Sequence, residues 1–257
     1  MDLVDATWTG ILPFIAIGFA AQIVDGALGM AFGAIANTLL VGFMGLPPAQ
    51  ASYRVHVIKI FTTGVSGLSH AIHRNVDKRL FLTIAIPGTI GGMIGAYGLA
   101  QVDGEAIKPF IFGYLSLLGV VLIIKGIHGN FTTNVPKAVV PLGLAGGVLD
   151  AVGGGGWGPV VSSGLMIQGT EPRKAIGSVN SAEFFVAIAI SGTFLGQFGI
   201  ERLAGATLGL LIGGILAAPF GAIIAKRLPT SVMLVVVGSV LSATTIYWLY
   251  TSVIAPS

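Results

Sequence analysis

Long stretches without a charged residue constrain this chain more than any other feature of its sequence. Six such stretches cover residues 6–24, 26–53, 80–102, 151–170, 203–225 and 228–257. Each is at least as long as the roughly 18 apolar residues that cross a bilayer as a helix. Only 9% of the 257 residues are charged, against about 25% in a soluble domain, so the chain cannot cover itself with a surface that water solvates. The sequence therefore predicts an all-α polytopic membrane protein.

Charge and cysteine content exclude several other classes of protein. The chain has no cysteine, which excludes disulfides and thiolate ligands. Its net charge is +3, but nearly all basic residues lie in short gaps between apolar stretches, a pattern typical of membrane orientation rather than nucleic-acid binding. His70 and His73 are too few to hold a metal, and we expect both at the membrane interface. We therefore expect no metal, no cofactor and no nucleic-acid partner.

Glycine is the second unusual feature of the composition. The chain has 39 glycines among 257 residues, about twice the usual share of roughly 7%. Small residues let helices approach closely in lipid, so many of these glycines are expected at helix contacts. The run Gly153-Gly154-Gly155-Gly156-Trp157-Gly158-Pro159 is different, because such a run cannot continue a regular helix. It predicts an interruption of a helix at membrane depth.

An offset of 125 residues aligns the two halves of the chain with each other, which indicates an internal duplication. The aligned pairs include Asp25 with Asp150, Gly29 with Gly154, Phe32 with Trp157, Gly33 with Gly158, and Pro47 with Pro172. We therefore divide the chain into repeat one, residues 1–128, and repeat two, residues 129–257. Repeat one is predicted to contain a broken segment 10–43 and helices 49–72, 80–101 and 107–127; repeat two contains a broken segment 137–168 and helices 173–198, 203–225 and 230–253.

The basic residues indicate how these segments cross the membrane. If all eight segments cross once, the basic residues divide six against five, which orients nothing. If the two broken segments instead return to the side from which they entered, the division is nine against two, a strong positive-inside asymmetry. The sequence thus predicts two inverted repeats with re-entrant first segments and both termini outside. Inverted repeats with interrupted helices are the usual build of secondary transporters.

The glycine breaks also predict where a ligand binds. Each break starts a new half-helix, whose free N–H groups and positive dipole end attract an anion. The candidate residues at the breaks are Gly29, Gly154, Gly155, Gly156 and Trp157. The alternative is that these glycines only permit close helix crossing.

Polar residues in the second segment of each repeat extend this candidate site. In repeat one these are Arg54 and His56, and in repeat two they are Asn180 and Ser181. Basic groups beside one break and amide or hydroxyl donors beside the other suit a small oxyanion. The alternative for Arg54 is that its side chain extends to the lipid headgroups.

Four further charged residues are predicted to lie at membrane depth, where ionisable groups are expensive and commonly functional. Asp25 and Asp150 directly precede the two breaks. They are candidates for carrying a coupling proton, or alternatively for capping the half-helices that follow. Lys59 and Glu183 are predicted either to serve the ligand site or to neutralise each other as a buried pair.

A short motif raises a third class of function. Gly64-Val65-Ser66-Gly67 matches the Gly-x-Ser-Gly pattern of intramembrane serine proteases, in which the serine needs a histidine from another helix. Because Ile190-Ser191-Gly192 stands at the matching place in repeat two, we interpret the motif as helix packing.

Taken with the repeats, the motifs of repeat two resemble the sulfite exporter family called TauE/SafE. Residues Gly153–Pro159 are similar to its Gly-Gly-Gly-x-x-x-Pro element, and Ala175-Ile176-Gly177-Ser178 is similar to its Ala-x-Gly-Thr-Ser element. In repeat one, Gly29-Met30-Ala31-Phe32-Gly33 replaces the glycine triplet.

The resemblance implies proton- or ion-linked passage of sulfite, sulfoacetate or related organosulfonates across the bacterial cytoplasmic membrane, usually outward. It implies a secondary transporter working by alternating access at a midplane site, and not an enzyme. An anion channel with the same site is the alternative. The expected partners are a small anion, the lipid bilayer and a coupling proton or cation, while the oligomeric state stays open, a homodimer included.

Overall fold

The computed structural model describes residues 8–30, 32–128, 137–199, 207–224 and 229–253, and these residues form helices and no strand. Ten α-helices follow one another in these described residues. They are α1 Trp8–Leu28, α2 Phe32–Thr38, α3 Pro48–Ile72, α4 Lys78–Gln101, α5 Gly104–His128, α6 Val139–Gly153, α7 Ser163–Ile167, α8 Pro172–Phe198, α9 Thr207–Ile224 and α10 Thr230–Val253. Two π-helical turns adjoin the short helices: Leu39–Phe43 continues α2, and Gly158–Ser162 precedes α7.

Helix length and composition make this a multi-pass membrane protein. Four helices of the described residues are long and apolar enough to cross a bilayer, over Ile11–Leu28, Lys78–Gln101, Pro109–His128 and Arg173–Phe198. Helix α3 has 25 residues, so it is also long enough at about 1.5 Å per residue, but it carries Arg54, His56 and Lys59. Shorter apolar helices occupy Phe32–Phe43, Val139–Gly153 and Thr207–Phe220.

The helices are interrupted where the glycine clusters lie. Helix α1 ends at Leu28 and is followed by Gly29, whose φ is +67°. Helix α6 ends at Gly153 and is followed by Gly154, whose φ is +68°. A left-handed residue directly after a helix is the usual glycine stop, because a Cβ is strained there.

Each broken segment packs against a helix of the other half of the chain. Helix α1 lies along α9, and α6 lies along α4. Both pairs run parallel. In the pair of α6 and α4, Gly143 lies near Ile84, and Ala151 lies near Gly95. Glycines allow this approach, since a methyl group added at Gly147 would overlap the Gly88 carbonyl. This is the packing that small residues produce in lipid.

Helices α3 and α8 cross at the centre of the molecule, and α5 packs against α10 at its side. At one end of the crossing, Tyr53 of α3 contacts Phe194 and Phe198 of α8, with ring centroids 6.0 and 6.4 Å away. Along its length, Ser181 of α8 lies against Gly67 of α3. The crossing therefore joins the two halves through helices that carry half of the buried polar residues in the described part of the chain.

Hydrogen bonds bring several chain segments to one end of the molecule. Gln168, after α7, accepts hydrogen bonds from the N–H groups of Lys137 and Ala138, each 2.9 Å away, before α6. The Lys174 ammonium donates to the carbonyl of Arg74 at 2.9 Å. The start of the second broken segment, its end, and the loop between α3 and α4 thus lie close together.

Candidate functional site

The two breaks contact each other directly at the centre of the fold. A methyl group added at Gly33 would overlap the Gly154 carbonyl, and one added at Gly158 would overlap the Gly29 carbonyl. Gly155 lies equally close to the backbone of Ala34. The backbones of the two breaks are therefore in contact, and the crossing is closed in this conformation.

Both half-helices are capped by the carboxylate that precedes the break. Asp25 Oδ1 accepts a hydrogen bond from the N–H of Phe32 at 3.2 Å, and Asp150 Oδ1 accepts one from the N–H of Trp157 at 3.1 Å. The two bonds span seven residues each and are related by the 125-residue offset. This geometry favours the capping role predicted as one alternative for Asp25 and Asp150.

Asp150 is also the centre of a network with α3. Its carboxylate accepts hydrogen bonds from the Lys59 ammonium at 2.9 and 3.0 Å, and Oδ2 lies 3.0 Å from His56 Nε2. The other ring nitrogen of His56 lies 2.7 Å from the Ser52 carbonyl. The structure therefore places His56, a predicted ligand residue, between two protein acceptors.

Lys59 and Glu183 form the predicted buried pair, with Lys59 Nζ 2.6 Å from Glu183 Oε1. The pair is not isolated, because the same ammonium binds Asp150. Glu183 Oε2 and Asp25 Oδ2 make no hydrogen bond. Together with His56, these residues form what we call the buried charge cluster: Asp25, His56, Lys59, Asp150 and Glu183, none of them more than 2% exposed.

Asn180 and Ser181 lie on the central crossing. Asn180 donates to the carbonyl of Ile176 at 3.2 Å and accepts a hydrogen bond from the Ser66 hydroxyl at 3.1 Å. The Ser181 hydroxyl donates to Gly177 at 2.8 Å. The amide of Asn180 also approaches Gly29 closely, so this residue joins the first break to α8.

Ser66 and His70 have partners that argue against a protease. The Ser66 hydroxyl donates to an amide oxygen, whereas a nucleophilic serine donates to a base. The His70 ring is buried and its Nε2 lies 2.9 Å from the Gly26 carbonyl. His70 thus holds the end of α1, and His73 is exposed.

Trp157 fixes the second break to its neighbours. Its indole N–H donates to the Val179 carbonyl at 3.1 Å, and the side chain is fully buried against Gly88. A tryptophan in these contacts positions the backbone of the break. Arg54, by contrast, is half-buried; on α3 it lies two residues before His56 and five before Lys59.

An open cavity of about 570 Å³ lies at the end of the molecule where Gln168 meets Lys137. Three basic residues line it: Arg79, Lys137 and Lys174. Of its two acidic lining residues, Asp77 caps α4 by accepting from the N–H groups of Arg79 and Leu80, and Glu171 lies 3.2 Å from Arg173. The cavity therefore offers a basic vestibule of a size that admits a small anion.

Sequence reasoning missed the residues that support the cluster. The Ser52 hydroxyl donates to the carbonyl of Ala151, 2.5 Å away, and so joins α3 to α6. Gln22 is fully buried beside Asp25. Polar residues such as Ser52 and Gln22 occur in membrane helices for many reasons. No motif in the sequence marks these two as neighbours of the cluster.

Comparison with known proteins gives a family match and a similar bacterial protein. The family model for the sulfite exporter TauE/SafE matches residues 14–248. A Bacillus subtilis (strain 168) protein named "Probable membrane transporter protein YtnM" is 39% identical over 237 residues, which cover 89% of this chain and 79% of that protein. No solved structure gives a significant match.

Proposed function

Because the chain belongs to the TauE/SafE family of sulfite exporters, we propose that this membrane transporter is a secondary transporter of small anions. Its substrates are sulfite, sulfoacetate or related organosulfonates, and its direction is export across the bacterial cytoplasmic membrane. Transport proceeds by alternating access at a midplane site between the two half-helix N-termini.

The contact between the two breaks is the observation that carries this proposal. The breaks belong to different halves of the chain, yet Gly29 lies against Gly158 and Gly33 against Gly154. An anion needs space at this crossing, so the two backbones separate when it binds. A contact between the two breaks that opens and closes around a central site is what alternating access requires.

The proposed topology has two inverted repeats with both termini outside. In support, Lys137 and Gln168 are hydrogen-bonded at the two ends of the second broken segment, as a re-entrant segment requires. The broken segments α1 and α6 occupy matching places in the two repeats, and so do α9 and α4. The contact of α1 with α9 is therefore the equivalent of the contact of α6 with α4. The basic vestibule then opens to the cytoplasm, where it concentrates anions for export.

The proposed anion site lies between the half-helix N-termini. Backbone N–H groups near Gly29 and Gly154–Gly156 bind the anion, together with Asn180 and Ser181. Because the His56 ring is engaged by Ser52 and Asp150, the basic side chain that approaches the anion is Arg54. Two neighbouring N–H groups are already satisfied by Asp25 and Asp150, so the anion uses the remaining donors of each first turn.

Counterflow in proteoliposomes tests the proposal. Vesicles loaded with unlabelled sulfite or sulfoacetate are expected to accumulate the labelled anion transiently, because a carrier exchanges one bound anion for another. An anion channel gives flux without counterflow and saturates weakly. If folded and correctly inserted protein shows no flux with any of these anions, the proposal is wrong.

A further inference from the structure

The buried charge cluster contains more acidic than basic groups. Asp25, Asp150 and Glu183 are carboxylates, and Lys59 and His56 are the bases; the five residues are at most 2% exposed. With all three acids ionised, the cluster carries one negative charge in excess if His56 is protonated, and two if it is not. An uncompensated charge of this kind is unstable in a protein interior.

The three carboxylates are not equivalent. Asp150 accepts hydrogen bonds from Lys59, His56 and the N–H of Trp157, which is the environment of an ionised carboxylate. Glu183 has a partner at Oε1 only, and Asp25 at Oδ1 only. The remaining oxygens, Glu183 Oε2 and Asp25 Oδ2, are buried without a hydrogen-bond partner, so these two groups are the ones suited to hold a proton.

The His56 ring decides how many protons the cluster needs. Nδ1 faces the Ser52 carbonyl at 2.7 Å and Nε2 faces the Asp150 carboxylate at 3.0 Å. Both partners are acceptors, so both ring nitrogens donate and the imidazole is cationic. Two cations and three carboxylates are then neutralised by a single proton.

A proton fits this site better than a metal ion. The Lys59 ammonium already lies between Asp150 and Glu183, where a cation shared by the two carboxylates would bind. In the part of the chain that the structure describes, no group of three or more His, Cys, Asp or Glu side chains is arranged to hold a metal ion.

We infer that the cluster holds one exchangeable proton, carried by either Glu183 or Asp25, and that this proton and the transported anion bind together. The second half of the inference rests on the proposed function. Without the proton the cluster is negative and repels an anion at the adjoining breaks; with the proton the cluster is neutral and admits it. Each ligand therefore raises the affinity of the other.

The remaining groups that face this proton lie on four helices: α1, α3, α5 and α6. Helix α3 supplies His56 and Lys59, and α6 supplies Asp150. Gln22 of α1 lies beside Asp25 without a hydrogen bond of normal geometry, and Tyr114 of α5 interacts with Asp150. Among the described residues, α9 and the part of α4 beyond its first turn carry no Asp, Glu, His, Lys or Arg.

Infrared difference spectroscopy tests the proton without any anion. Purified protein in lipid is compared at acidic and alkaline pH, and a carboxylic-acid C=O band is expected from the wild type. Either Glu183→Gln or Asp25→Asn leaves two carboxylates for two cations, so each single variant is expected to lose the band. Both replacements keep the oxygen that accepts from Lys59 or Phe32. Glu171→Gln, in an exposed ion pair, is the matched control and keeps the band.

Sulfoacetate binding at several pH values tests the linkage, because its sulfonate and carboxylate stay ionised near neutral pH, whereas sulfite itself exchanges a proton there. We expect wild-type affinity to fall about tenfold per pH unit once the proton leaves, with about one proton taken up per anion. Glu183→Gln is expected to bind sulfoacetate independently of pH. Replacing sodium by an organic cation is expected to change nothing.

The outcomes separate the inference from the proposed function. No band in the wild type, or a band that survives both single replacements, overturns the proton site. Binding without proton uptake, or binding that requires sodium, overturns the linkage while the transporter function stands. Failure of every candidate anion to bind removes the proposed function, and the infrared result then still decides whether the proton is there.

Discussion

Asp25 and Asp150 satisfy the same need in the two halves of the fold. A half-helix that starts inside the membrane has free N–H groups with no water to satisfy them, and each carboxylate accepts one such N–H. Asp150 has the additional partners His56 and Lys59. The same residue type at matching positions therefore has a capping role in repeat one and a combined capping and charge-binding role in repeat two.

Lys59→Met is expected to destabilise the protein by roughly 3–5 kcal/mol, because it leaves buried carboxylates without their cation. Yield and thermal stability in detergent measure this effect. Lys174→Met, which removes one hydrogen bond to Arg74, is the control and should cost about 1 kcal/mol. An isolated Lys59–Glu183 pair predicts full rescue by adding Glu183→Gln. The cluster predicts only partial rescue, since Asp150 still lacks its ammonium; equal stability of the double variant and wild type would contradict it.

Arg54→Gln tests the proposed basic ligand. A fully desolvated ion pair is worth about 2–5 kcal/mol, but Arg54 is half-buried, so we expect sulfite affinity to fall roughly tenfold, or about 1.4 kcal/mol. Isothermal titration or scintillation proximity binding measures the change. Protein yield should stay at the wild-type level, and unchanged affinity would place the anion elsewhere.

At the scale of elements, the interruptions allow two short segments to cross where continuous helices would collide. Gly29 and Gly154 adopt the left-handed conformation that ends a helix, and the neighbouring glycines let the two backbones touch. Asp77 shows how a cap moves an element boundary. The Asp77 side chain accepts hydrogen bonds from two N–H groups, so α4 begins at Lys78. The hydropathy pattern predicts a start at residue 80.

Gly155→Leu is expected to abolish anion flux, because a side chain at this position meets the backbone of Ala34 and holds the breaks apart. Counterflow and the amount of protein in the membrane are measured together. Gly192→Leu is the matched control on α8, since a side chain there meets no atom within 4 Å, and it should transport normally. Wild-type flux in Gly155→Leu would show that the crossing does not move during transport.

At the scale of the whole molecule, side-chain contacts bring separate basic loops to one end. Lys174 reaches Arg74, and Arg79, Lys137 and Lys174 line one vestibule. Pro47, Val102 and Phe198 line a second, smaller cavity. The positive-inside rule predicts such a concentration of Lys and Arg residues in cytoplasmic loops.

Single cysteines in this cysteine-free chain test the orientation. We expect cysteines replacing Lys137, Arg173 or Lys226 to react only with a reagent that enters the cell, and one replacing Asp103 to react with an impermeant reagent from outside. Cysteines at the two termini should both be labelled from outside. Labelling of the termini from opposite sides would contradict the inverted arrangement.

The sequence by itself determined the membrane class, the family and the places where helices stop. These properties depend on local physics: uncharged stretches partition into lipid, and clustered glycines cannot continue a helix. It also predicts Asp25, Lys59, Asp150 and Glu183 at membrane depth, where charged residues are rare.

The tertiary structure alone decided which of these residues meet. Lys59 and Asp150 are 91 residues apart in the chain, and their contact follows from how α3 and α6 pack. The sequence could suggest a Lys59–Glu183 pair but not the additional bonds to Asp150 and His56, nor that the first break would lie against the second. Hydropathy is a property of residues that are neighbours in the chain, so the sequence shows it directly. The partner of a buried charge depends on how distant helices pack against each other.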